Sequence, residues 1–155
     1  MKFDKAKSDQ VADKLLGMKF KMGGRGPEFI DCYGILTSYY SAFGITMPDF
    51  CGYDDWNGKE EYYLKSYSST ARKLDPDEKP EIGDFILFKN VEGANNHAGV
   101  YLGGYDFIHS YEKTGVRIDS LTNKVWKKKV YGYFRIKDGP IEGEISSVHY
   151  GKLDD

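Results

Sequence analysis

The chain has 155 residues, of which 40% are hydrophobic and 30% charged, enough for one domain with a real hydrophobic core. Its formal net charge of −2 calls for no nucleic-acid partner, and no apolar stretch is long enough to span a bilayer. Two cysteines outside any CxxC pair are too few for a disulfide framework, which leaves a single Cys32–Cys51 bridge as an open alternative to free thiols.

Residues 1–16 mix Lys and Asp with small apolar side chains and carry no apolar signal region, so the expectation is a protein made in the cytoplasm without a signal peptide. Val11, Ala12, Leu15 and Leu16 recur at helical spacing after Ser8, and Gly17 can stop that helix. Residues 22–27 form a glycine-rich loop. A second helix opens at Asp31 or Cys32, with Cys32, Ile35, Leu36, Tyr39 and Phe43 on one face, and ends at Gly44. A third helix is expected over 59–73, before the prolines at 76 and 80.

The texture then changes. Residues 85–88 read as a buried strand, and 97–102 and 106–110 flank Gly103-Gly104 as a hairpin. Residues 115–118 and 131–136 add strands. Helices first and strands later give an α+β domain over 1–137, followed by a polar tail over 138–155. The basic run Lys127-Lys128-Lys129 reads as a solvated face.

Cys32 opens a helix just after a glycine-rich loop, where unpaired N–H groups and the helix dipole favour a thiolate and can stabilise an oxyanion. A buried structural cysteine is the alternative. His97 and His109, two of the chain's three histidines, stand on adjacent arms of the hairpin, where they can serve the thiol as base and as orienter of that base. Strand parity sharpens this expectation. The sum of the two residue numbers is even, whereas a regular two-residue turn at Gly103-Gly104 pairs residues with an odd sum, on opposite faces. The histidines can meet only across an odd-length loop, such as Gly103-Gly104-Tyr105, or a glycine bulge. Cys32, Cys51, His97 and His109 match no zinc spacing, and His149 lies in the tail.

Phe20-Lys21-Met22-Gly23-Gly24, Phe29-Ile30-Asp31-Cys32-Tyr33-Gly34, Gly83-Asp84-Phe85-Ile86-Leu87-Phe88, His97-Ala98-Gly99-Val100-Tyr101-Leu102-Gly103 and Phe107-Ile108-His109-Ser110 occur in that order over about 17–136. In order and spacing they resemble the NlpC-type cell-wall cysteine peptidases, which are papain-like. The resemblance implies a papain-like fold of N-terminal helices packed on an antiparallel sheet. It implies Cys32 as nucleophile, His97 as general base and His109 as its orienter, with no metal or organic cofactor. The implied partner is a peptidoglycan stem peptide, cut between the γ-carboxyl of D-glutamate and a diamino acid. Phe20 stands where the family often has tyrosine, and Tyr33 where it tends to have serine. With Asp31, these are the substrate-side positions that the resemblance marks. Residues 40–49 resemble the family's phage-tail branch, which implies a virion component at the tail tip, in contact with other tail proteins. A secreted amidase effector, a non-catalytic tail-assembly or wall-binding module, and an acyltransferase or thioesterase on the same scaffold are the rivals.

Overall fold

The computed structural model describes residues 3–48, 68–91 and 94–137. Helix α1 spans Lys5–Leu15 and is capped by Asp4, whose carboxylate accepts from the Lys7 N–H at 2.9 Å. It begins before Ser8, because Ser8 is not the cap but a buried interior residue sharing a 2.9 Å hydrogen bond with the Tyr39 hydroxyl. The chain leaves the helix through Gly17 at φ +88°.

Strands β1 (Lys19–Phe20) and β2 (Phe29–Ile30) pair in parallel and close off the glycine loop between them. Helix α2 follows at Cys32–Ser41, and every one of its residues except Thr37 is buried. The single apolar face expected from its sequence is therefore too narrow a description. Tyr33 and Tyr40 are enclosed as well, and the Tyr40 hydroxyl donates to the Gly83 carbonyl at 2.5 Å.

The rest is one antiparallel sheet. It comprises β3 (Ala71–Lys73), β4 (Phe85–Val91), β5 (Ala94–Gly103), β6 (Asp106–Tyr111), β7 (Gly115–Ser120) and β8 (Val130–Ile136), in the order β3-β8-β4-β5-β6-β7. Side chains alternate between two cores. Phe85, Leu87, Ala98, Val100 and Ile108 pack with α1 and α2, whereas Ile86, Phe88, Tyr101 and Phe107 pack with Leu121 and Trp126 on the other face. Burial on both faces is why β4 reads as an unbroken apolar run. The result is the α+β class expected from the sequence.

One expectation changes and two gain detail. Of the helix expected over 59–73, residues 59–67 lie outside the described residues, and 71–73 is strand β3, with Ala71 opposite Ile136. The basic run closes a short helix, α3 (Lys124–Lys129), capped by Asn123 and anchored by buried Trp126. The hairpin reaches even parity by the second of the two expected routes. Gly104 and Tyr105, both at positive φ (60° and 72°), form a two-residue turn between the paired Gly103 and Asp106. A register shift between Tyr101 and Gly103 then restores the parity. Gly99 consequently faces His109, and His97 is its diagonal neighbour on the same face. The 138–155 tail, with His149, and Cys51 lie outside the described residues.

Asp84, at the mouth of β4, is 2% exposed and takes a bidentate bond from Arg135 on β8, Nε to Oδ1 at 3.0 Å and Nη2 to Oδ2 at 2.9 Å. Its Oδ2 also accepts from the Glu81 N–H at 2.7 Å. Asp84→Ala leaves Arg135 its longer contacts to Glu78 and Glu81 and its bond to the Lys79 carbonyl but removes the bidentate partner and the acceptor of the Glu81 amide, so chemical denaturation should show a loss of about 2 kcal/mol, whereas Lys5→Ala, which breaks only an exposed ion pair, should cost under about 0.5 kcal/mol. Equal losses would show that the β4–β8 pair carries no special weight.

Candidate active site

Cys32 begins α2 because Asp31 caps it. The Asp31 carboxylate accepts from the Gly34 N–H at 2.8 Å, from the Gly23 N–H at 2.9 Å and from Arg25 Nη1 at 2.8 Å. Arg25 also donates to the Gly24 carbonyl, so the loop, the cap and the helix form one buried unit. Gly34 is required by the close fit, since a Cβ there would lie 2.5 Å from Ile30 Cγ1 and 2.7 Å from the Gly24 carbonyl oxygen. Cys32 is a free thiol, 7% exposed, and the Ala98 N–H of β5 points at its sulfur.

On the opposite face of β5 the two histidines are fully enclosed, His97 at 2% and His109 at 0% exposure. His97 Nε2 lies 2.7 Å from His109 Nδ1, and His109 Nε2 lies 2.7 Å from Asp119 Oδ2 on β7. Arg117 Nη2 donates to the other carboxylate oxygen, Oδ1, at 2.9 Å. Gly99 leaves the space for this contact, because a Cβ there would meet His109 Cβ at 3.3 Å and the Ile108 carbonyl oxygen at 2.8 Å. Trp126 closes the face, stacked at 28° on His97 and edge-on to His109 with centroids 4.8 Å apart.

The structure thus joins His97, His109 and Asp119 by hydrogen bonds. Among the described residues this chain stops at His97, the residue before Ala98, whose amide points at the Cys32 sulfur. Asp119 escaped the sequence reading, although parity across the next hairpin could have found it. With Tyr111 opposite Gly115, Phe107 faces Asp119 and His109 faces Arg117, which makes Asp119 the diagonal neighbour of His109. Arg25 was also missed, as no sequence spacing marks it as the partner of Asp31.

Of the three substrate-side positions, Phe20 is half-buried and pairs with Ile30, just before the cap. Asp31 and Tyr33 are 1% and 3% exposed. In this structure the Asp31 carboxylate is engaged with Arg25 and two backbone amides, and Tyr33 belongs to the helix-side core, so burial gives both a structural task rather than an exposed one. A hollow of about 370 Å³ lined by residues 21–29 lies beside the cap.

The expected low-pKa thiol is not what this environment makes. Burial pushes the Cys32 thiol well above its ordinary range, the Asp31 carboxylate adds to the rise, and the Ala98 amide and Arg25 only oppose it. Burial, followed by neighbouring His109, holds His97 well below the usual imidazole value. Burial also lowers His109, against the pull of Asp119. Asp119 itself is lowered, first by its hydrogen bond from His109.

The probable endopeptidase NlpC homolog of Haemophilus influenzae is 32% identical over 119 residues, which are 76% of this chain and 55% of that protein. The probable endopeptidase p60 of Listeria welshimeri is 30% identical over 125 residues, 81% of this chain but 21% of that protein. The chain therefore spans between about a fifth and about half the length of these relatives. Among solved structures, an NLP/P60 family lipoprotein-like protein of Staphylococcus aureus superposes with a TM-score of 0.63 at 24% identity, covering 90% of this chain and 44% of that one. RipD of Mycobacterium tuberculosis, described as a non-catalytic NlpC/p60 domain protein, superposes with a TM-score of 0.58 at 16% identity, covering 88% of this chain and 98% of that one. These likenesses concern the fold. Membership follows from the sequence profile, which matches residues 17–135: the chain belongs to the NlpC/P60 family.

Proposed function

We propose that this domain is a cysteine endopeptidase that hydrolyses an amide bond in bacterial murein stem peptides. The observation that carries the reading is the buried hydrogen-bonded line Asp119–His109–His97, which ends one residue before Ala98, whose amide points at the Cys32 sulfur at the start of α2. A structural cysteine has no use for two hydrogen-bonded imidazoles in the adjoining strands. Relatives named as peptidoglycan endopeptidases, LytE of Bacillus subtilis and MepS of Escherichia coli among them, supply the substrate class.

In this mechanism neutral His97 accepts the Cys32 thiol proton as sulfur attacks the amide carbon. The oxyanion forms at the N-terminus of α2, where the helix dipole favours negative charge. Phe20 contributes no hydroxyl donor there. The imidazolium then protonates the leaving amine, leaving a thioester. His97 next deprotonates water, which attacks the thioester and regenerates the thiol. No metal or organic cofactor takes part.

The bond we assign is that between the γ-carboxyl of D-glutamate and a diamino acid, and the place we assign is a phage tail tip, with other tail proteins as neighbours. The support for the second is the resemblance of residues 40–49 to tail-associated members. Neighbouring tail genes would uphold this placement, and a neighbouring immunity gene would replace it with a secreted antibacterial effector.

Purified murein incubated with the protein should release peptides whose masses identify the bond. Cys32→Ala should fold and abolish release, and His97→Ala should lower kcat roughly 10³-fold or more. Near-normal release by Cys32→Ala would sink the peptidase reading. Murein binding without release by the wild-type chain would make it a non-catalytic wall-binding module.

The direction of the His97 shift fixes a second outcome. The base must be neutral, and its pKa lies below the ordinary 6.5, so kcat/KM should hold as pH falls through 6.5 and decline only below it. An acid limb above 6.5 would contradict a buried base. Iodoacetamide at pH 7 should label Cys32 at least roughly tenfold more slowly than a free cysteine, as a raised thiol pKa and burial require. Labelling at the rate of an activated thiolate would show that the resting pair is ionised.

A further inference from the structure

We propose that Asp119 is a positioning residue that sets the tautomer of both imidazoles in sequence, so that the bare nitrogen of His97 is Nδ1. The proposal deepens the peptidase reading and rests on it only for its kinetic consequence. An ionised carboxylate can accept hydrogen bonds but not donate them. At 2.7 Å from Asp119 Oδ2, His109 Nε2 must carry the proton. Neutral His109 then has its lone pair on Nδ1, which lies 2.7 Å from His97 Nε2 and can only accept. His97 Nε2 must therefore be the donor, and in neutral His97 the remaining lone pair falls on Nδ1. One acceptor at the far end of the chain dictates the protonation of a ring it does not touch.

The groups facing His109 are consistent with this order. His97 approaches from β5. Asp119 approaches from β7 with Arg117 behind it, and Trp126 covers the rings from α3. Tyr111 stacks on His109 from its own strand. None of these besides Asp119 is an anion, so the carboxylate alone fixes the direction of the chain.

Arg117 turns this into a specific test. It donates to Oδ1, the oxygen that His109 does not use. In Asp119→Asn that donor holds the amide carbonyl oxygen toward Arg117 and turns the amide NH₂ toward His109. His109 Nε2 must then accept, Nδ1 must carry the proton, His97 Nε2 must accept in turn, and the proton on His97 moves to Nδ1. The substitution changes no volume and inverts both rings. In the double variant Asp119→Asn/Arg117→Ala the amide is free to rotate and offer its oxygen instead.

Long-range ¹⁵N–¹H correlation spectra of the full chain distinguish the two tautomers directly. The wild-type protein should show both His97 and His109 protonated at Nε2, and Asp119→Asn should show both at Nδ1. Turnover of murein peptides by Asp119→Asn should fall roughly 10³-fold in kcat with KM changed less than about twofold, and the double variant should regain roughly tenfold. A wild-type spectrum with Nδ1–H on either ring overturns the proposal without any variant. So does Asp119→Asn with unchanged tautomers and kcat within about threefold of wild type. If the wild-type chain releases no murein peptide, the peptidase reading fails while the spectra still decide the role of Asp119.

Discussion

Asp31 stands where the glycine loop meets α2, and its buried carboxylate accepts from Gly23 and Arg25 on the loop side and from Gly34 on the helix side. The tie between the loop and the helix turn that carries Cys32 passes through this residue. Without an acceptor there, Arg25 would be a buried cation lacking this counter-charge, the first turn of α2 would lose its cap, and the loop would no longer be tied to the helix. Gly34 then lets the turn sit against Ile30 and the Gly24 carbonyl at a distance no side chain would allow. The pairing of Phe20 with Ile30 ties the other side of the loop to the same point.

The same carboxylate works against the thiolate. It lies one residue from Cys32 and raises the thiol pKa, second only to burial, while the Arg25 that neutralises it pulls the other way. A cap made by serine would leave the thiol freer to ionise but would give Arg25 no charge to pair with. The arrangement favours a fixed helix terminus over an ionised thiol. A neutral, enclosed thiol is also protected from alkylation and oxidation until a base removes its proton. In the mechanism proposed above that base is His97, whose pKa burial holds well below the usual imidazole value.

The sequence made α2 and the five longer strands legible because each is long enough for its apolar pattern to exceed local noise. Strand β3 was not, since its three residues show no pattern, and its partner β8 lies some sixty positions away. Helix α3 was hidden because its terminal lysines dominate the reading, while its contribution to the fold is the single buried Trp126. Asn123, the cap, was the available signal. Cys32, His97 and His109 were visible as residue types in a known order, but Asp119 needed the register of β6 against β7, which depends on where the Tyr111–Gly115 turn begins. The sequence marks Asp31 at the helix start, but a sequence shows that a carboxylate is present and not which hydrogen bonds it makes, here to Gly23, Arg25 and Gly34.

The bulge beside Gly103 links the fold to the site most directly. Strand β5 serves two masters: Ala98, Val100 and Leu102 hold the helices, while His97 and Gly99 face the histidine side. Which side of β6 carries His109 is decided by the register between the two strands, and a two-residue turn alone would give the wrong parity. The shift between Tyr101 and Gly103 corrects it, bringing His109 opposite Gly99 and within a hydrogen bond of His97. The next hairpin needs no correction, since Tyr111 pairs directly with Gly115 and the even register carries Asp119 to the same face. A chain that lost the bulge but kept every hydrophobic contact of β5 would turn His109 and Asp119 together to the helix side. It would retain the strand and lose the line of hydrogen bonds. The alignment of the three groups is therefore a property of backbone register, set at the hairpin turn and read out at the far end of the strand.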